Sequence, residues 1–260
     1  MLVDVEKLCS EGEPFLMLSI INPPPESNNE EKHQGEEERI CAAYAKRHEN
    51  TRYSWFNPSY AFMMQERERR MLVALEQHGF ASLGTRKILE IGCGTGYWLR
   101  EFIKFGAQPQ NITGVDLLSG RVAIGRQLCP ERVRIECGSA TTLGFPDGCF
   151  DLVLQSTVFS SVLDPSTRQQ MASEMLRVVK ADGALLWYDF HVNNPRNPDV
   201  QGMKKREIFR LFPGCRIELR RITLAPPLAR LLAPYSLLAC YLLERFKVFN
   251  THYLGVIRKV

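Results

Sequence analysis

The chain has 260 residues, is 45% hydrophobic and 24% charged, and carries a formal net charge of +4. That length and apolar content suffice for a sizeable core in one domain with an appendage, and exclude a disordered or fibrous chain. Eight cysteines are spread without a CxxC pair or a ligand-spaced cluster, so no disulfide framework and no metal site is expected, and the thiols suit a reducing cytoplasm.

Met1 to Glu38 carries ten acids against Lys7 and Lys32 and includes Pro23-Pro24-Pro25. Such a composition buries too little apolar surface to order itself, so residues 1–38 are expected to form a flexible acidic tail, with Pro14 to Ile21 a loosely held apolar patch. Acidic Asp4 and Glu6 stand where a basic leader would be, so no signal peptide is expected. Residues 39–85 read as a helical N-terminal region broken by the aromatic stretch Arg52 to Tyr60. Met63, Met64, Met71, Leu72 and Leu75 recur at helical spacing, which predicts a helix over 60–75 begun by Asn57-Pro58-Ser59.

Ile88 to Leu99 reads ILEIGCGTGYWL, a buried strand, a turn with glycine at alternate positions, and a helix start near Thr95 or Gly96. Gly92, Gly94 and Gly96 allow positive φ and close approach of a ligand to the main chain, and the helix N-terminus offers free N–H groups. Alone the pattern is equally a closely packed turn, being shorter than GxGxxG. A second strand ends in Asp116, where a carboxylate can accept both hydroxyls of a ribose. A third, Val133 to Cys137, ends in Gly138-Ser139-Ala140, and a fourth, Phe150 to Leu154, ends in Gln155-Ser156-Thr157. A helix follows from about Ser166 to Val179, capped by Asp164 or Ser166. Strand five, Ala184 to Phe190, emerges as Asp189, Phe190 and His191 into the amide- and proline-rich loop Val192 to Pro198. Met203 to Phe212 reads as a helix, Cys215 to Leu224 as strand six and Thr251 to Arg258 as strand seven. Between these strands, Pro226 to Phe249 carries leucines on helical spacing. Arg230 and Pro234 interrupt it, the uninterrupted apolar part is too short to span a bilayer, and the segment is either packed on the sheet or interfacial. After Gln201, twelve Lys and Arg face only Glu207, Glu218 and Glu244, a basic lobe that is either a solvated face or an attractor of anions.

Together these strand ends, with the stretch Glu174 to Gly183, resemble the class I S-adenosylmethionine-dependent methyltransferases, in the small-molecule branch bearing E-x-G-x-G-x-G, here Glu90 to Gly96. The likeness covers residues 86–260. It implies an α/β, Rossmann-like, doubly wound seven-stranded sheet in the order 3-2-1-4-5-7-6, strand 7 antiparallel, with S-adenosyl-L-methionine as cofactor. It further implies that Gly92, Cys93, Gly94 and Gly96 carry the methionine part, with Glu90 near its amino group. Asp116 would take the ribose hydroxyls, Leu117 the adenine face, and Ser139 and Ala140 the adenine edge. Many relatives have Asp where Ser139 stands. Gln155 and Ser156 would face the reacting methyl.

The resemblance also implies that the helical region 39–85 is a lid over cofactor and substrate; Tyr53 and Trp55 in that lid, and Asn193, Asn194 and Arg196 after strand five, are the substrate-binding candidates. For a hydroxyl acceptor a base would help, with His191 first, His252 second and Asp189 third. QSTVF replaces the Asn-Pro-Pro-Tyr stretch of amino-group methyltransferases, which speaks against nucleic-acid or protein nitrogen. The expectation is therefore a cytoplasmic O-methyltransferase of a small-molecule, sugar or lipid-linked acceptor, with peripheral membrane contact as an option for the leucine-rich segment. C-methylation and a non-catalytic cofactor-binding module are the alternatives. A nicotinamide oxidoreductase is disfavoured because it would want GxGxxG and a second nucleotide-binding half.

Overall fold

The computed structural model describes residues 27–46, 53–195 and 197–260. The patch Pro14 to Ile21, Pro23-Pro24-Pro25 and Arg196 lie outside them. Seven strands form one sheet: β1 (Ile88–Ile91), β2 (Ile112–Asp116), β3 (Arg134–Cys137), β4 (Phe150–Ser156), β5 (Val179–Phe190), β6 (Cys215–Leu224) and β7 (Asn250–Lys259). Their order is β3-β2-β1-β4-β5-β7-β6, as expected. Strands β1 to β5 pair in parallel, and β7 is antiparallel to both β5 and β6. The central strands are apolar on both faces because helices cover both. On one side Ile88, Leu99, Phe102, Ile112 and Leu154 pack together, and on the other Leu89, Ile91, Val153, Phe159 and Trp187. β5 starts at Val179, earlier than Ala184, because Phe150 at the mouth of β4 pairs with Val179 before the register shifts.

The helices are α1 (Ser27–Ala45), α2 (Pro58–Gln77), α3 (Tyr97–Lys104), α4 (Ser119–Leu128), α5 (Pro165–Val178), α6 (Lys205–Leu211), α7 (Pro226–Leu232) and α8 (Leu237–Arg245). Local chemistry sets their starts. Asn57 caps α2 by accepting from the Ser59 N–H, with Pro58 in the first helical position, and Asp164 caps α5 by accepting from the Thr167 N–H.

The segment expected to remain a flexible tail to Glu38 differs from Ser27 onward, where it is helical, and the 38/39 boundary falls inside α1. Glu36 is buried, ion-paired with Arg39 at 2.9 Å, and accepts from the backbone N–H of Leu163 and of Asp164 at the entrance to α5. Burial works against its charge. The Arg39 guanidinium and the Leu163 amide outweigh that and hold the carboxyl below the usual range. Arg39 also donates to the Ser161 carbonyl, and His33 shares a hydrogen bond with Thr167 at 2.8 Å. Composition favoured disorder, but the adjacent acids Glu36 and Glu37 find partners across the chain.

Candidate cofactor and substrate site

At the carboxyl ends of β1, β2 and β4 lies a cavity of about 240 Å3, near the lower end of small-molecule sites, which run from roughly 300 Å3 upward. It is lined by Gly92, Asp116, Leu117, Ser139, Ala140 and Ser156, six of the expected cofactor residues. Gly92, Gly94 and Gly96 all hold left-handed φ, 63°, 56° and 77°, so the turn needs residues without a Cβ. Each glycine also makes room for a neighbour. A Cβ on Gly92 would come 2.4 Å from Val158 Cγ2, one on Gly94 2.6 Å from the Arg121 guanidinium, and one on Gly96 2.6 Å from Cys129 Sγ. Cys93 is buried behind the turn, and burial pushes its thiol pKa up.

Asp116 ties turn to strand. One carboxylate oxygen accepts from the Gly94 N–H at 2.7 Å and the other from the Leu118 N–H at 2.9 Å, leaving further lone pairs for a ligand. Glu90 is buried in β1, and one of its oxygens has no hydrogen-bond partner. Burial, then the charge of Asp116, raises its pKa well above the ordinary value. Gln155 is buried within the sheet, where its amide donates to the Tyr188 carbonyl and accepts from the Val158 N–H. Thr157, next in the turn, is a β-branched residue at φ 58°, a strained conformation held by its N–H to the Tyr188 carbonyl at 2.7 Å.

The outer wall comes from α1 through Glu37, Ile40 and Tyr44. Ser139 Oγ donates to the Glu37 carboxylate, so an acid stands beside Ser139 although the sequence has none at that position. Arg121 stacks over the Tyr44 ring at 5.3 Å. Nothing local in the sequence pointed to Glu37, Tyr44 or Arg121.

The three candidate bases are not among the cavity's lining residues. Asp189 is buried and accepts from the Ser160 and Phe190 N–H groups, while burial raises its pKa to about 7. His252 stacks on Tyr188 at 4.9 Å, and burial with the nearby Arg67 charge holds its pKa down to about 3. His191 packs on Tyr253, and its Nε2 hydrogen-bonds the Asn250 carbonyl at 3.0 Å. Its pKa is lowered by burial. Asn193 accepts from the Gly202 N–H, and the Asn194 carbonyl accepts from Asn197, so both shape the exposed loop after β5. Tyr53 and Trp55 set edges against Tyr60, and Trp55 stacks on Tyr97 at 6.4 Å, beside the start of α3.

One residue absent from the expectation reaches the site through a ring, without itself lining the cavity. Arg67 of α2 puts its guanidinium 4.9–5.3 Å from the rings of Tyr97, Trp98 and Tyr188, and its buried Nε has no partner. Trp98 in turn donates to Ser156 Oγ at 3.2 Å. In the sequence Arg67 sits in QERERR and reads as a solvated face. This donor set fits the cofactor that the resemblance implies. Asp116 is available to a diol, the orphan oxygen of Glu90 to an ammonium, and the orphan Nε of Arg67 to a carboxylate.

Residues 88–183 match the methyltransferase domain family. The chain is 32% identical over 151 residues to a ubiquinone/menaquinone biosynthesis C-methyltransferase of Geobacter sulfurreducens, covering 56% of each. It is 30% identical over 128 residues to the ajmaline N-methyltransferase of Rauvolfia serpentina, covering 47% of this chain and 42% of that one. The matches thus span about half the length of these curated relatives. The solved structure of the PH0226 protein from Pyrococcus horikoshii superposes with a TM-score of 0.53 over 81% of this chain and 96% of that one, at 18% identity, a likeness of fold. The matched region, the sheet order and the turn after β1 agree, and residues 88–183 form a methyltransferase domain similar to that of the class I S-adenosylmethionine-dependent methyltransferases.

Proposed function

We propose that this chain binds S-adenosylmethionine in the cavity between Asp116 and Ser156 and methylates a ring carbon of a small, electron-rich, largely apolar acceptor. The observation that carries the reading is one cavity joining the left-handed glycine turn, a carboxylate oriented by two backbone amides, and the tip of β4. When bound, the cofactor supplies an electrophilic methyl on a sulfonium sulfur. Asp116 would hold the ribose hydroxyls, Glu90 the methionine ammonium, Arg67 the methionine carboxylate, and Glu37 with Ser139 the adenine edge. Their work is to align acceptor and methyl and to keep water out, with α1 as the cover.

Two observations favour carbon over the hydroxyl oxygen expected from the sequence. Asp189 is buried and His252 half-buried against Tyr188, neither lines the cavity, and His252 titrates too low to take a proton near neutral pH. The Geobacter relative, moreover, carries the name of a C-methyltransferase. O-methylation of a sugar or lipid-linked hydroxyl is the second reading, with His191 as its base. The test is a two-step measurement. Calorimetry with S-adenosylhomocysteine reads the cofactor site, and label from methyl-labelled S-adenosylmethionine in a host extract is then located by fragmentation mass spectrometry. Label on a ring carbon supports the proposal, and label on oxygen or nitrogen overturns the acceptor atom. Absence of S-adenosylhomocysteine binding overturns the whole reading.

A further inference from the structure

Strand β6 runs parallel to β5, since β7 is antiparallel to both, so the end of β6 lies at the same edge of the sheet as the cavity. From that edge the chain leaves as an insertion, Ala225 to Phe249, closed at its base by the Ala225 N–H donating to the Phe249 carbonyl at 2.8 Å. The inner faces of α7 and α8 are already used. Ala229, Ala233 and Cys240 pack with Phe62 of α2 and Leu224 of β6. A surface helix ordinarily turns polar residues to water on its other face. Here the outer face is apolar as well. Tyr235, Leu238 and Val248 are 87%, 68% and 75% exposed, and Leu242 and Phe246 stand exposed beside them. In α8, Leu238, Leu242 and Arg245 recur at i, i+4 and i+7, opposite the buried Cys240 and Glu244.

The charge on this face has one sign. The exposed ionisable residues of Ala225 to Phe249 are Arg230, Arg245 and Lys247, and its single acid, Glu244, is buried. Phe56, 99% exposed, extends the apolar surface, for the Ser54–Ser59 segment shares a surface cleft with Arg230 and Pro234. The same segment touches the cavity's neighbourhood through Trp55 against Tyr97. Among the described residues no helix is long and apolar enough to cross a membrane.

We infer that the outer face of α7, α8 and the turn after them docks on an anionic lipid bilayer. The leucines and aromatic rings enter the headgroup boundary, and Arg230, Arg245 and Lys247 meet lipid phosphates. The face lies three strand positions from β4, about 14 Å, so a membrane-borne acceptor could reach the cavity edge without crossing water. That delivery role rests on the reading under Proposed function. The docking itself does not.

The full chain is mixed with vesicles of phosphatidylcholine alone and of phosphatidylcholine with phosphatidylglycerol, and the bound fraction is read by flotation at low and high salt, without cofactor or acceptor. Binding is expected to the anionic vesicles, weaker at high salt. It should fall about a hundredfold in the double variant L238E/L242E and about fivefold for each cation removed in R245Q and K247Q. R245Q and K247Q alter exposed side chains only, so they report even if the leucine variant fails to fold, and S-adenosylhomocysteine affinity should be unchanged in both. Sedimentation of the same samples reads self-association. No vesicle binding, equal binding to both lipid compositions, or a leucine-dependent dimer in place of vesicle binding would each overturn the inference. Intact cofactor affinity alongside any of these leaves the proposed activity standing.

Discussion

Asp116→Asn removes one negative charge and keeps nearly every atom in place. In the wild type its two oxygens accept from Gly94 and Leu118 at 2.7 and 2.9 Å. An amide can satisfy one of these donors and must turn an NH2 toward the other. The loss is one charge-assisted hydrogen bond, about 1.5–3 kcal/mol, which for a chain of this size lowers the melting temperature by roughly 3–6 °C. Toward ligand, the missing charge should weaken S-adenosylhomocysteine by about ten- to a hundredfold, on the same range of energies. Turn damage alone could mimic that loss, so the assay is a cycle. Calorimetry compares S-adenosylhomocysteine with its 2′-deoxy analogue on both proteins. Wild type should prefer the hydroxylated ligand, and the variant should discriminate far less. Equal discrimination by the two proteins would refute the ribose assignment, and an unmoved melting temperature would refute the account of how the turn is held.

Further outcomes follow from packing and burial. Gly92→Ala combines a left-handed φ with a Cβ 2.4 Å from Val158, so thermal denaturation should show a loss of about 2–4 kcal/mol, and unchanged stability would contradict the tight turn. Glu36→Ala strands the Leu163 and Asp164 amides and should cost about 1–3 kcal/mol in the docking of α1, seen as faster hydrogen exchange in 31–45. Glu244, buried beside Glu66, has its pKa raised to about 7, by burial first and then by Glu66. Between its ordinary 4.5 and about 7 the folded chain binds more protons than the unfolded one. Stability should therefore fall across that window as pH rises and level off above it. Denaturant titrations at a series of pH values should show the slope in the wild type and lose most of it in Glu244→Gln.

The sheet was legible because its signals are local. Ile88 to Ile91 is apolar at every position but Glu90, Asp116 closes a strand, and Asp164-Pro165 starts a helix with both of its usual residues. The site was legible where it depends on strand ends, hence Gly92, Asp116, Ser139 and Ser156. It was not legible where a side chain arrives from a distant element. Arg67 reads as one charge of five in QERERR, and only the packing of α2 against α3 and β5 puts it among three rings. Glu36 and Glu37 read as tail acids because their partners, Leu163 and Ser139, lie more than a hundred residues away. The candidate bases were chosen as strand-end polar groups, yet Asp189 faces the core, His252 stacks on Tyr188 and His191 bonds the Asn250 carbonyl, and none lines the cavity.

Because Glu37, Ile40 and Tyr44 form one wall of the cavity, its affinity for any occupant is a joint property of two equilibria. The apparent dissociation constant is the intrinsic one divided by the fraction of molecules in which α1 is seated. An occupant that touches those residues must therefore tighten the helix's hold, and by reciprocity whatever draws α1 away loosens the occupant. A basic partner competing for Glu36 and Glu37 would in this way set how much ligand the cavity holds, without reaching the cavity at all.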